Sequence, residues 1–204
     1  MGYINKLFKG KNMILPFIND LEEFYKNSGI VDLTNSDLLA MYHKEMKNYI
    51  ERDIDIFLIS KLKTKVFRRY NMKYSDDGDS FISKLNDIKK KYKKKTTCFP
   101  DFMIIHPEPV YNNQMLSSSM TKTVEKETIN GIKIIVSTLV EKDEVLIGNT
   151  KLIGEVNVSP LFTTHVKQTQ RSGESLVAKQ VMEYKIKEDT IIMVKFEEVK
   201  KWAN

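Results

Sequence analysis

The chain has 204 residues, 41% of them hydrophobic and 29% charged, with a net charge of +6. This fits one domain, or one core with an elaborated lobe, excludes a mostly disordered chain, and leaves no apolar run near the ~20 residues that span a bilayer. The lone Cys98 excludes an internal disulfide and a cysteine-based zinc site, as expected of synthesis at an intracellular, reducing site. An excess of 33 basic over 27 acidic residues favours proximity to a polyanion without establishing contact.

Residues 1–33 begin with a basic strip, Lys6, Lys9 and Lys11, that reads as an arm. Pro16 and the acidic stretch behind it spoil a signal peptide, and Lys6 stands where a myristoylation signal needs Ser or Thr. Leu15, Ile18, Leu21, Phe24 and Tyr25 predict a short helix stopping near Ser28-Gly29. The stretch 34–63 has no Gly or Pro. Its Leu39, Tyr42, Met46, Ile50, Ile54 and Phe57 recur at gaps of three and four, which predicts one long amphipathic helix. Thr34 and Asp37 form a capping-box-like start. Residues 64–79 read as a polar connection, with a turn at Asp76-Asp77-Gly78-Asp79.

A second helix is expected over 80–95, with Phe81, Leu85, Ile88 and Tyr92 on one face. Its end carries Lys89, Lys90, Lys91, Lys93, Lys94 and Lys95. Such lysines complement the helix dipole and usually form a solvated face; the alternative is a polyanion contact. Phe102–Ile105, between two prolines, predicts a buried strand. Strands follow at 132–140, 144–148, 159–170, 176–186 and 190–199, with a hairpin turn at Arg171-Ser172-Gly173. In the fourth of these, Leu176, Ala178, Met182, Tyr184 and Ile186 share a face. The last is apolar enough at first to be buried on both sides. The fold class is α+β, helices first and strands second.

Catalytic patterns are missing. There is no phosphate-binding glycine loop, no G-x-S-x-G elbow and no H-E-x-x-H, and His43, His106 and His165 are scattered. Glu51, Asp53 and Asp55 point to different sides of a helix, so ion pairing with Arg52 is the expected use rather than metal binding. Pro100-Asp101 with Glu183-Tyr184-Lys185 echoes a nuclease pattern only at very wide spacing. We expect no catalytic, cofactor or metal site.

The order of the parts carries more information than any one of them. ERDIDIFLISKL is similar to the E-D-x-x-[IL]-L ending of a long helix in tailed-phage major capsid proteins. FPDFMIIHPEP resembles the family's strand that closes on an Asn-Pro or His-Pro step. INGIKIIVS resembles its L-x-G-x-P-V-x-x-S, with Gly131 and Ser137 matching and Lys133 where Pro is usual. EVLIGN follows with Gly148-Asn149 for Gly-Asp, and TIIMVKFEEV stands where the family has its terminal strand. Residues 34–200 therefore resemble the Hong Kong phage-type capsid fold, shared with archaeal viruses and encapsulin shells.

The resemblance implies a spine helix over 34–63, an axial α/β domain and a peripheral sheet. The expected division is an N-terminal arm and short helix at 1–33, spine and connection at 34–79, axial domain at 80–189, and a peripheral closing strand at 190–204. About 33 residues before the spine leave little room for the family's extended arm and long hairpin. The implied function is a virion structural subunit, forming pentamers or hexamers within a closed icosahedral-type shell around DNA, with other virion proteins as further partners. In that setting Lys6, Lys9, Lys11 and the Lys89–Lys95 cluster would face DNA through charge. The alternatives are a basic nucleic-acid-binding protein using Lys89–Lys95, with Tyr92 as a stacking residue, and an encapsulin-like compartment shell.

Overall fold

A computed structural model describes residues 4, 7–8, 20–31, 36–73, 78–108, 120–122, 127–167 and 174–197. In chain order the elements are β1 (Asp20–Val31), α1 (Ser36–Thr64), β2 (Val66–Lys73), α2 (Gly78–Thr96), β3 (Phe102–Ile105), β4 (Met120–Lys122), β5 (Glu127–Ile129), β6 (Ile132–Val136), β7 (Glu144–Gly148), β8 (Gly154–Val158), β9 (Phe162–Lys167), β10 (Glu174–Ile186) and β11 (Ile191–Glu197). They fall into two compact units: residues 1–58 with 155–185, and residues 59–154 with 186–204.

In the first unit, β10 is the shared strand of a sheet ordered β1-β10-β8, and β9 also pairs with it. One face of β10 is fully buried through Leu176, Ala178 and Met182, with Tyr184 nearly so. These match the side expected from their period of two. From α1, Met46, Ile50, Ile54 and Leu58 are buried at successive gaps of four, the spacing that aligns side chains on one helix face. Phe57 sits between two rings, edge-on to Phe24 at 6.0 Å and to Tyr184 at 5.0 Å between centroids.

The helix predicted around Leu21, Phe24 and Tyr25 is instead strand β1. It pairs antiparallel with β10 from Asp20↔Tyr184 to Val31↔Glu174, with an irregularity between Asn27 and Ile30. Cross-strand pairing overrides the helix-like spacing, because side-chain packing decides strand formation more than local pattern does. Only Phe24 of the three points inward; Leu21 and Tyr25 are exposed. Leu15 and Ile18 lie outside the described residues.

The second unit holds a seven-stranded sheet ordered β2-β11-β7-β3-β6-β5-β4. β3 runs parallel to β6 and antiparallel to β7; β11 runs antiparallel to β7 and parallel to β2. The central strands are buried at nearly every position, as continuous apolar sequence requires of strands covered on both faces. Leu85, Ile88 and Tyr92 of α2 pack into a cluster with Met103, Ile105, Ile134, Ile147 and Val194.

Residues 66–73, expected to be a polar connection, form β2, which lies at the sheet's edge beside β11. Arg68, Arg69 and Asn71 are exposed while Met72 is buried, and charged side chains are common on such edges. β5 and β6 are joined by Asn130 and Gly131, with φ of +51° and +75°. Two left-handed residues in a two-residue loop match the twist of an antiparallel hairpin, and Asn-Gly is the pair that tolerates them.

The expected division placed 80–189 together and 190–204 with the long helix. Instead, residues 155–185 group with 1–58, because β8 and β10 share a sheet with β1. β11 groups with 59–154, because its hydrogen-bonded neighbours are β2 and β7.

Candidate assembly surfaces and the lysine cluster

Tyr92 organises the lysine-rich end of α2. It is fully buried and its hydroxyl donates to the Thr190 carbonyl at 2.9 Å. Burial pushes its phenol well above the ordinary tyrosine range, and the Asp101 charge adds to this. A ring held inside the core is no platform for a nucleobase. The stacking role considered for Tyr92 is therefore excluded by its position.

The six lysines around it do not act alike. Lys89 donates to the Asn130 carbonyl at 2.8 Å, next to an Asn130–Asn86 side-chain bond of 2.7 Å. These two bonds tie α2 to the β5–β6 turn. Lys91 stands 5.1 Å from the centroid of the Tyr70 ring and Lys93 4.4 Å from that of Phe99, distances at which a cation is attracted to the ring face. Lys95 pairs with Asp189 at 3.4 Å. Lys90 and Lys94 are exposed and have no such partner among the described residues. Separated by four positions, they lie on one side of the helix. Lys6, Lys9 and Lys11 lie outside the described residues.

The carboxylates considered for metal binding diverge as expected: Asp55 is buried, Asp53 exposed, and Glu51 lies 4.0 Å from Lys47. Arg52, expected to pair with them, is exposed and forms no ion pair among the described residues. Asp101 spends both carboxylate oxygens on Thr150, at 2.8 Å to its amide and 2.6 Å to its hydroxyl. Glu183 accepts from Asn157 at 3.3 Å. Both groups of the nuclease-like echo thus serve local structure. Among the described residues no group of three His, Cys, Asp or Glu is placed to hold a metal ion, and no helix is long and apolar enough to cross a membrane.

Two exposed apolar faces of the first unit were not read from sequence. On the outer side of its sheet, Tyr25, Lys179 and Phe162 stand in line across three strands. Leu21 and Val166 share that side by the period of two. Leu21 is 68% and Phe162 57% exposed, on the two strands that flank β10. The centre of this face is polar: Lys179 meets Glu23 at 2.8 Å, and the Tyr25 hydroxyl also donates to Glu23. The hydrogen bond from Lys179, then that from Tyr25, holds the Glu23 carboxyl below the usual range, and Glu23 in turn raises Lys179. The second face is a stripe on α1, formed by Leu38, Met41, Glu45, Tyr49, Arg52 and Ile56, all exposed. Their gaps of 3, 4, 4, 3 and 4 keep them on one side, away from the buried Met46, Ile50 and Ile54. Exposed apolar side chains grouped this way mark interaction surfaces.

The chain is mixed α+β in two compact units. Comparison with solved structures identifies the fold. The chain is similar to the capsid of the cyanophage P-SCSP1u, with a TM-score of 0.62 and 13% identity over 94% of this chain and 80% of that one. It is similar to a Mycobacterium phage Che8 structure, with a TM-score of 0.63 and 12% identity over 85% of this chain and 70% of that one. It also resembles the virus-like particle from Pyrococcus furiosus, with a TM-score of 0.59 and 14% identity over 86% and 76% of the two chains. No protein-family model and no curated protein matches the sequence. The chain has the capsid fold to which its motifs point.

Proposed function

We propose that this chain is a major capsid-like structural subunit that assembles with copies of itself into a closed icosahedral-type shell. The observation that carries the reading is the extent of the likeness: 94% of the chain aligns with a phage capsid subunit at 13% identity. The alignment therefore includes nearly all of both units and is not confined to one supersecondary motif. In this reading α1 is the spine helix, the first unit the peripheral domain and the second the axial domain. Pentamers or hexamers would be the intermediate rings, and repeated contacts whose rotation closes would complete the shell. Many modest interfaces suffice, because each subunit engages several neighbours at once. The location is then the virion, with DNA inside and other virion proteins as further partners. Likeness to the Pyrococcus furiosus virus-like particle supports a second reading, a compartment shell that holds protein cargo.

Within the viral reading, Lys90 and Lys94 are the members of the cluster best able to meet DNA phosphates, because the other four are engaged within the chain. Their contact would be non-specific and would weaken as salt rises. Light scattering and negative-stain microscopy of one purified sample test the assembly. Closed particles or regular rings are expected; a monomer across wide ranges of salt and concentration would overturn it. Replacing Lys90 and Lys94 by Gln should lower the DNA content of particles while leaving their number unchanged. Equal DNA content would remove these lysines from the inner wall.

A further inference from the structure

The stripe on α1 has a property that a generic apolar face lacks: it is complementary to itself. Its order along the helix is Leu38, Met41, Glu45, Tyr49, Arg52, Ile56. Two copies laid antiparallel about a two-fold axis between residues 48 and 49 set Glu45 opposite the partner's Arg52, and Met41 opposite the partner's Ile56. Tyr49 falls beside the axis. Symmetry repeats each contact, giving two opposite-charge pairs flanked by two apolar pairs. The parallel arrangement would set Glu45 on Glu45 and Arg52 on Arg52, which like-charge repulsion disfavours. Antiparallel helices also place opposite dipole ends together.

The side chains are available for this contact. Met41 is 52%, Tyr49 49% and Ile56 45% exposed. Glu45 and Arg52 are exposed and make no ion pair among the described residues. Lys26 lies 4.2 Å from the centroid of the Tyr49 ring, over one of its faces. The opposite side of the helix is committed to the core of the first unit through Met46, Ile50 and Ile54, so the stripe can be rigidly presented.

From this charge pattern we infer that the exposed stripe of α1 binds the same stripe of a second copy of the chain, antiparallel, across a two-fold axis. The inference deepens the shell reading, since a closed icosahedral shell contains two-fold axes and an isologous contact needs one. A single helix pair buries less than the ~1,200 Å² at which specific interfaces become stable alone. The contact should therefore be weak in isolation and strengthened by others in an assembly.

Site-directed cross-linking of the full chain tests this, in a Cys98→Ser background that removes the native thiol. With Met41→Cys and Ile56→Cys together, a short bis-maleimide should give a covalent dimer. Within one helix these positions are roughly 22 Å apart at ~1.5 Å per residue, beyond the reagent's reach. Either cysteine alone should stay monomeric; dimers from Met41→Cys alone would show a parallel contact and overturn the proposal. So would the lack of any dimer from the pair. As an independent arm, Glu45→Arg or Arg52→Glu should weaken self-association roughly ten-fold, and the double reversal should restore it. Additive losses in the double reversal would overturn the pairing. Light scattering on the same samples separates the two levels. Particles without the 41–56 link refute the helix pair and leave the shell reading standing; the link without particles does the reverse.

Discussion

Gly148→Ala adds one methyl group to a strand, and the geometry predicts a measurable loss of stability. A Cβ built at Gly148 would lie 2.6 Å from Cζ and 2.9 Å from Cε1 of Phe102, and 2.8 Å from Cδ1 of Ile191. Ordinary contact begins at about 3.4 Å, so the ring must move by about 0.8 Å and the isoleucine methyl by about 0.6 Å. Neither has room, because Phe102 and Ile191 are both fully buried. The cause lies in the sheet register: Phe102 of β3 stands directly opposite Gly148 of β7, and its ring fills the space that a side chain would take. Overpacking of this kind costs ~1–3 kcal/mol, and the reduced backbone freedom of the unfolded alanine chain offsets ~0.4–1 kcal/mol. A net loss of about 1–2 kcal/mol follows. It should appear in urea unfolding as a lower midpoint at unchanged slope. Phe102→Leu shortens the ring and should partly relieve the clash, so the double variant should be less destabilised than the sum by more than ~0.5 kcal/mol. A Gly148→Ala variant of wild-type stability, or an additive cycle, would refute the packing argument.

Tyr92→Phe should cost ~1–2 kcal/mol in the same assay, because the Thr190 carbonyl loses a buried donor. Its affinity for DNA, at matched salt, should stay unchanged, since the ring is inside the core; a loss of binding would revive the stacking role. Lys179→Met should raise the Glu23 titration midpoint, followed by NMR, toward the ordinary glutamate range, with the Tyr25 hydrogen bond still holding it down in part. Because the folded value is depressed, the Glu23–Lys179 interaction supports the fold above the unfolded pKa, and its contribution fades as pH falls through the folded value. A midpoint unmoved by the substitution would show that Lys179 is not the cause.

Much of the fold is legible in the sequence because its strongest signals are periodic. The buried face of α1, the buried face of β10 and the apolar run of β11 each carry enough pattern to fix their element within a few residues. β1 and β2 were not legible, for different reasons. β1 owes its conformation to β10, more than 140 positions away, while its own spacing mimics a helix turn. β2 is an edge strand whose arginines hide its alternation. The Asn130-Gly131 turn carries a local signal, Asn-Gly before an apolar run. The lysine cluster was found, but composition cannot tell that Lys89 bonds a carbonyl or that Lys91 and Lys93 lie over rings. Those distinctions arise from residues distant in sequence.

The same two-sidedness explains how this fold can persist at 13% identity to a phage capsid protein. The interior asks for apolar volume at fixed periods, which Ile, Leu, Met and Val can exchange at modest cost provided patterning is kept. Other positions are constrained by space or by backbone geometry, such as Gly148 under the Phe102 ring and Gly131 at φ +75°. These two glycines are among the residues that carried the family resemblance. Outward faces are under a different constraint, because they must match another surface and not a core. Leu38, Met41, Tyr49 and Ile56 on α1, and Leu21, Tyr25, Phe162 and Val166 on the sheet, would each be stabilising only when covered. Left in water, their exposed apolar area adds little to the fold and favours association. Their grouping on two faces of one unit fits the contacts between copies proposed above.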